Sequence, residues 1–94
     1  MFVHIVLFKF KESSNIAEAK RRLESMAGMI PGLISVEAGI DVVRKAHSWD
    51  LVLNTRFQDR AAYESYATDP VHVNIVKWLK PLVNDKATID YEVS

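Results

Sequence analysis

The sequence predicts an α+β fold with the element order βαββαβ and one four-stranded antiparallel sheet. Three observations carry this expectation. Apolar residues alternate at period two in three separate segments, apolar residues recur at helical spacing between them, and Asp, Pro and Gly stand at the junctions. The 94 residues contain no linker or low-complexity block, so a single domain over 1–94 is expected.

The first strand, Phe2 to Lys11, places Phe2, His4, Val6, Phe8 and Phe10 on one face and Val3, Ile5 and Leu7 on the other. Both faces are apolar, so both should be covered. Ser14 or Asn15 offers an N-cap for a first helix in which Ile16, Ala19, Leu23, Met26, Ala27 and Ile30 recur at helical spacing. That helix should end near Gly28, with Pro31-Gly32 as the following turn. Leu33 to Val43 alternates between apolar Ile34, Val36, Ala38, Ile40 and Val42 and more polar neighbours, the pattern of a half-buried strand. Arg44 to His47 supply a hairpin connection. In the third strand, Trp49 to Phe57, parity sends Trp49, Leu51, Leu53 and Phe57 to a core and Asp50, Asn54 and Arg56 away from it. Asp59 then caps a helix running to about Ala67, with Tyr63, Tyr66 and Ala67 on one side. Asp69 caps another, which starts at Pro70 because proline is tolerated at the first helical position, and its apolar side is Val71, Ile75, Trp78, Leu79 and Leu82. Lys86 to Val93 is the last strand.

This order is the ferredoxin-like split, in which all helices lie on one face of the sheet. The opposite face, with Val3, Ile5 and Leu7, would be a large exposed apolar patch on a monomer, and such patches mark association surfaces. A chain of this length hides only about 60–65% of its unfolded surface, so pairing with a second copy would add needed burial. A homodimer joined through its sheets is therefore expected. Asp50, Asn54 and Arg56 would make part of that surface polar.

Composition excludes several classes. Twelve basic residues balance twelve acidic ones and the longest basic run is Lys20-Arg21-Arg22, so the footprint of a nucleic-acid binder is missing. The absence of cysteine excludes disulfides, thiolate nucleophiles and cysteine-ligated metals, and makes the cytoplasm the default location. The apolar start, Phe2 to Phe8, is too short for a membrane span and has no basic region before it, so neither a signal peptide nor a membrane partner is expected. His4, His72, Asp50 and Asp69 lack a zinc-ligand spacing, and no glycine-rich phosphate loop or dinucleotide fingerprint occurs; no metal or cofactor is expected.

Three residues are candidates for chemistry. His72 would be the third residue of its helix, where the helix dipole disfavours the imidazolium and leaves a neutral ring able to act as a general base. The same residue could instead bond back to Asp69 and only fix the helix start. Tyr66 is either a core aromatic or a hydroxyl donor to a substrate carbonyl. His4, flanked on its face by Phe2, Val6 and Phe8, must find hydrogen-bond partners or border a wet cavity. Parity places a cavity between helices and sheet, bounded by His4, Val6, Phe8, Leu23, Leu51, Leu53, Tyr66, His72 and Trp78, and suited to a small apolar ligand.

Five short segments, in order, are similar to one family over essentially the whole chain. They are His4 to Phe10; Ile30-Pro31-Gly32 with Val36-Glu37-Ala38-Gly39; Asp50-Leu51-Val52-Leu53 leading to Phe57; Tyr66 to His72, with its Asp69-Pro70-Val71-His72 core; and Ile89-Asp90-Tyr91-Glu92. The chain resembles the stress-responsive A/B barrel family, often called Dabb. The resemblance implies a dimeric α+β barrel of two ferredoxin-like subunits joined through their sheets. A polyketide-cyclising branch of the family is similar at His4, Tyr66 and His72, and uses tyrosine and histidine as acid and base. Asp69 stands where that branch carries histidine, and Ala19 and Leu23 stand where its pocket wall is more aromatic. Two functions follow: a dimeric domain that binds a small apolar molecule, or a cofactor-independent acid–base enzyme acting on a carbonyl compound.

Overall fold

The computed structural model describes residues 1–94. Its elements are β1 (Phe2–Phe10), α1 (Ile16–Glu24), β2 (Leu33–Ile40), β3 (Leu51–Phe57), α2 (Arg60–Ala67), α3 (Pro70–Leu79) and β4 (Val83–Glu92). The two consecutive helices α2 and α3 together fill the second helical position of the split. The four strands form one antiparallel sheet in the order β2-β3-β1-β4. This is the ferredoxin-like arrangement, with a hydrophobic core between the sheet and the helices.

Parity works as expected on β1 and β3. Phe2, Val6, Phe8 and Phe10 face the helices beside Leu51, Leu53, Thr55 and Phe57, and all eight are buried. They meet Ile16, Ala19, Leu23 and Met26 from the α1 side and Tyr66 and Leu79 from α2 and α3. The two aspartate caps also form. The Asp59 carboxylate accepts from the Ala62 amide at 2.9 Å, and the Asp69 carboxylate accepts from the Val71 amide at 2.9 Å, directly before Pro70.

Several boundaries differ from the sequence reading, each for a local reason. Neither Ser14 nor Asn15 caps α1 through its side chain, because Ser13–Asn15 form a turn of 3₁₀ helix that runs directly into it. The α-helix ends at Glu24 rather than near Gly28. Beyond it the Met26 and Ala27 amides bond to carbonyls three residues back, so the chain tightens into turns before Gly28 takes φ +75°. In β2, Leu33 pairs with Phe57 and Ser35 with Arg56, which makes Ile34 an extra, bulged residue. Leu33 therefore packs on the core, and Ile34 is 52% exposed despite its apolar parity. The strand stops at Ile40, leaving Val42 exposed, and β3 starts at Leu51, with Trp49 before it beneath the Lys9 ammonium. β4 begins at Val83, three residues before Lys86.

The outer sheet face carries Val3, Ile5 and Leu7 flanked by Tyr91, Ile89 and Ala87 on β4 and by Arg56, Asn54 and Val52 on β3. It is thus apolar over β1 and β4 and polar toward β2. Asp50 is not part of that polar area. Its carboxylate accepts from the Phe10 amide at 2.8 Å and pairs with Arg44 at 2.7 Å, stapling the β2–β3 connection to the end of β1. No helix is long and apolar enough to cross a membrane.

Two glycines separate backbone strain from steric contact. Gly28 (φ +75°) faces open space, whereas a Cβ on Gly32 (φ +81°) would lie 2.5 Å from the Ala62 Cβ. Gly28→Ala should cost about 1–2 kcal/mol, the left-handed penalty alone. Gly32→Ala should cost roughly 1–3 kcal/mol more, because it also forces the Pro31-Gly32 turn away from α2. Urea denaturation of both variants checks this, and equal losses would remove the α2 contact as a determinant.

Candidate functional site

The helices pack over β1, β2 and β3. β4, at the sheet edge, turns Lys86, Thr88 and Asp90 toward the helical side opposite Phe8, Val6 and His4. Polar residues thus occupy positions that a covering helix would require to be apolar. Under this edge lies a cavity of about 620 Å³. Its apolar walls include Val6, Phe8, Leu23, Leu53, Leu79 and Val83, and its polar wall is supplied by His4, Tyr63, Tyr66, His72 and β4. The size lies within the usual range for small-ligand sites.

The geometry brings the three candidate residues together. The Tyr66 and His72 rings are 4.0 Å apart between centroids, and His4 lies 6.2 Å from Tyr66 and 4.9 Å from Tyr63. Leu51 and Trp78 fall outside. Leu51 is buried where β3 passes toward a shallower depression beside Trp49, and Trp78 lies beneath the Arg22 guanidinium at 4.1 Å. Parity could not separate Leu51 from Leu53, since both face the helices; the distinction comes from which part of the sheet the helices fill.

His4 hydrogen-bonds through Nδ1 to the Asp90 carboxylate on the neighbouring strand. A carboxylate accepts, so the proton is on Nδ1 and Nε2 has no partner within the chain. Asp90 was absent from the sequence candidates. The signal for it was the polar parity of the last strand, but the β1–β4 register was needed to set it opposite His4.

His72 does not bond back to Asp69. Its Nδ1 donates to the Ala67 carbonyl at 3.3 Å, while Asp69 is occupied with the Val71 amide. The carbonyl can only accept, so in the neutral ring Nε2 carries the lone pair. Burial is the largest influence on this imidazole and pushes its pKa below the ordinary value; nearby His4 and Lys86 act the same way, against the Ala67 bond and Asp69. Tyr66 is 2% exposed, and its hydroxyl makes no hydrogen bond within the chain yet is not among the sealed polar atoms, so it opens on the cavity. Burial, helped by Tyr63, raises its pKa well above the usual phenol range and keeps it protonated. The pocket therefore holds a hydroxyl donor beside an imidazole acceptor.

These features define a ferredoxin-like α+β domain with a mostly apolar helix–sheet cavity and a few convergent polar groups. Residues 2–93 match the Stress responsive A/B Barrel Domain family, Dabb, and the chain belongs to that family. It is 24% identical over 98 residues to a stress-response A/B barrel domain-containing protein of Arabidopsis thaliana, spanning 99% of this chain and 86% of that one. Among solved structures it is similar to a dimeric protein of unknown function with a ferredoxin-like fold from Bacteroides fragilis, at TM-score 0.85 and 26% identity, covering 98% and 95% of the two chains. It is also similar to a Dabb family protein from Mesorhizobium loti, at TM-score 0.76 and 28% identity, covering 99% and 96%.

The lowered His72 pKa makes a pH prediction. The unfolded chain takes up this proton near 6.5, while the folded chain takes it up only at lower pH. The stabilisation is complete above 6.5 and is lost as pH falls toward the folded value. NMR titration of the ring should give a pKa below 6.5. In His72→Gln the stability difference from the parent should shrink across that window, and a ring that titrates above its ordinary value would show that Asp69 outweighs burial.

Proposed function

We propose that this chain, as one domain over residues 1–94, forms a homodimer through the outer faces of its sheets, and that each subunit binds a small, largely apolar molecule in the cavity between helices and sheet. The observation that carries the binding reading is the meeting of unpartnered polar atoms with apolar walls. His4 Nε2, His72 Nε2 and the Tyr66 hydroxyl belong to residues bordering the cavity, and none has a hydrogen-bond partner in the chain. Such groups are costly to enclose without water or a ligand. Native mass spectrometry of the purified protein tests the reading directly. A small molecule retained by the parent and lost from Tyr66→Phe and His72→Ala supports it, and a ligand retained equally by all three argues against these residues as contacts.

The homodimer is supported by two features of the outer face. Ile5, Leu7, Ile89 and Tyr91 form an apolar area in which Ile89 is 60% exposed, and the side-chain Oδ1 of Asn54 beside it is buried without any donor. The similar protein from Bacteroides fragilis is described as dimeric. Light scattering coupled to gel filtration should give a dimeric mass at micromolar concentration. Ile5→Asp, which would set a carboxylate at the joined sheets, should abolish the dimer or the fold; an unaltered dimer would exclude this face as the interface.

A second reading, acid–base catalysis on a carbonyl compound, is favoured by the pairing of a neutral His72 with the adjacent Tyr66. His72 Nε2 would take a proton from carbon next to the carbonyl while the Tyr66 hydroxyl donates to the oxygen on which charge develops. His4, oriented by Asp90, offers a second proton acceptor in the same cavity. On an established substrate, His72→Ala should lower turnover by about 100-fold or more with the protein still folded. Tyr66→Phe should lower it with little change in stability, and full activity in both would remove this mechanism.

A further inference from the structure

Strand pairing sets the outer face of the sheet in rows, and its central rows hold one cation and one anion among apolar and neutral residues. The cation is Arg56 on β3 and the anion is Glu37 on β2. Glu37 stands opposite Asn54, and Arg56 is two residues further along the same face, so the two are diagonal neighbours within one chain. They nevertheless form no ion pair. Of the five arginines, Arg56 alone lacks a carboxylate: Arg21 and Arg22 hold Glu18, Arg44 holds Asp41 and Asp50, and Arg60 holds Glu64. Arg56 is also half-buried, and its guanidinium lies 3.6 Å from the Met1 Sδ, so the side chain leans over β1 and away from β2. A thioether is a weak acceptor and leaves the guanidinium fork without a matched partner.

We propose that in the dimer Arg56 of each subunit pairs with the partner subunit's Glu37, so that two symmetry-related ion pairs fix how the sheets are superposed. This rests on the homodimer reading above and specifies its contacts. Joining the apolar areas around Ile5 and Ile89 takes the neighbouring charges of the same face out of water. An unpaired charge is costly there, whereas an arginine bound to a carboxylate through its fork is the strongest form of ion pair. A two-fold interface is isologous, so each face must be complementary to itself. A face with a single cation and a single anion meets that requirement with a second copy of this chain. The lean of Arg56 away from β2 keeps it off its own Glu37 and leaves both groups free for the crossing pair. The apolar area alone permits many superpositions of the two sheets, and the charges select among them.

Native mass spectrometry of Glu37→Arg and Arg56→Glu, each alone and mixed in equal amounts, tests this, because the three possible dimers differ in mass. Each reversal sets like charges together at both crossing positions, so each variant alone should dimerise at least about ten-fold more weakly than the parent. In the mixture each chain supplies the charge that the other lacks. The heterodimer should therefore exceed both homodimers and recover the parent's affinity. The Glu37→Arg, Arg56→Glu double variant should dimerise with itself and not with the parent. Where a single reversal does not fold alone, coexpression of the two variants should yield soluble heterodimer, and its absence would overturn the proposal. Unchanged affinity in the single variants would overturn it too, as would a mixture without heterodimer beside a double variant that recovers, the result of a pair made within one chain. In those cases a dimeric parent keeps the homodimer reading, which a parent monomeric at micromolar concentration would itself overturn.

Discussion

The site depends on one packing constraint: three short helices cover only three of the four strands. β4 reaches the edge of the sheet with Lys86, Thr88 and Asp90 on its helical side, positions where a packed helix would demand apolar residues. The opposite choice is made on β3, where Leu51, Leu53, Thr55 and Phe57 are all buried. The core is therefore closed over β3 and open over β4, and the boundary between the two runs along β1. Phe2 and Phe10 belong to the closed core, whereas His4, Val6 and Phe8 in the same row border the opening. A polar residue in an otherwise apolar row thus stands where the packing can leave it access to water or a ligand.

The same constraint sets the chemistry of the polar groups. Each of the two cavity histidines has its Nδ1 engaged by the protein, His4 by a carboxylate across the sheet and His72 by a carbonyl at the end of α2. Their Nε2 atoms are the ones left over. Tyr66 is held among aromatic rings, 4.9 Å from Phe57 and 4.0 Å from His72, so its hydroxyl is positioned by packing and not by a hydrogen bond of its own. Positioning by rigid neighbours leaves the donor free for an incoming group.

The parts of this arrangement readable from sequence are those governed by local rules. Asp59 and Asp69 cap their helices because a carboxylate before an apolar-periodic segment has amides within reach, and Pro70 marks the first helical position. Strand parity sets Val6, Phe8 and Leu53, and the inward side of the helices sets Tyr66 and His72, around one space. The errors lie where register or coverage decides. The bulge at Ile34 replaced it with Leu33 at the core, the end of α1 was set by tightened turns in place of the glycine alone, and Leu51 was separated from Leu53 by where the helices stop. Asp90 is invisible as a site residue for a related reason: it reads as an ordinary surface charge until β4 is placed beside β1 in a particular register.

The central claim is that both imidazoles offer a bare Nε2 to the cavity. Long-range proton–nitrogen correlation spectra of the histidine rings, recorded over a pH series and read in the neutral form of each ring, report the tautomer directly. The account predicts protonated Nδ1 and unprotonated Nε2 for His4 and His72, with the His4 pattern weakened in Asp90→Asn. Protonation of Nε2 in either ring of the parent protein would contradict it.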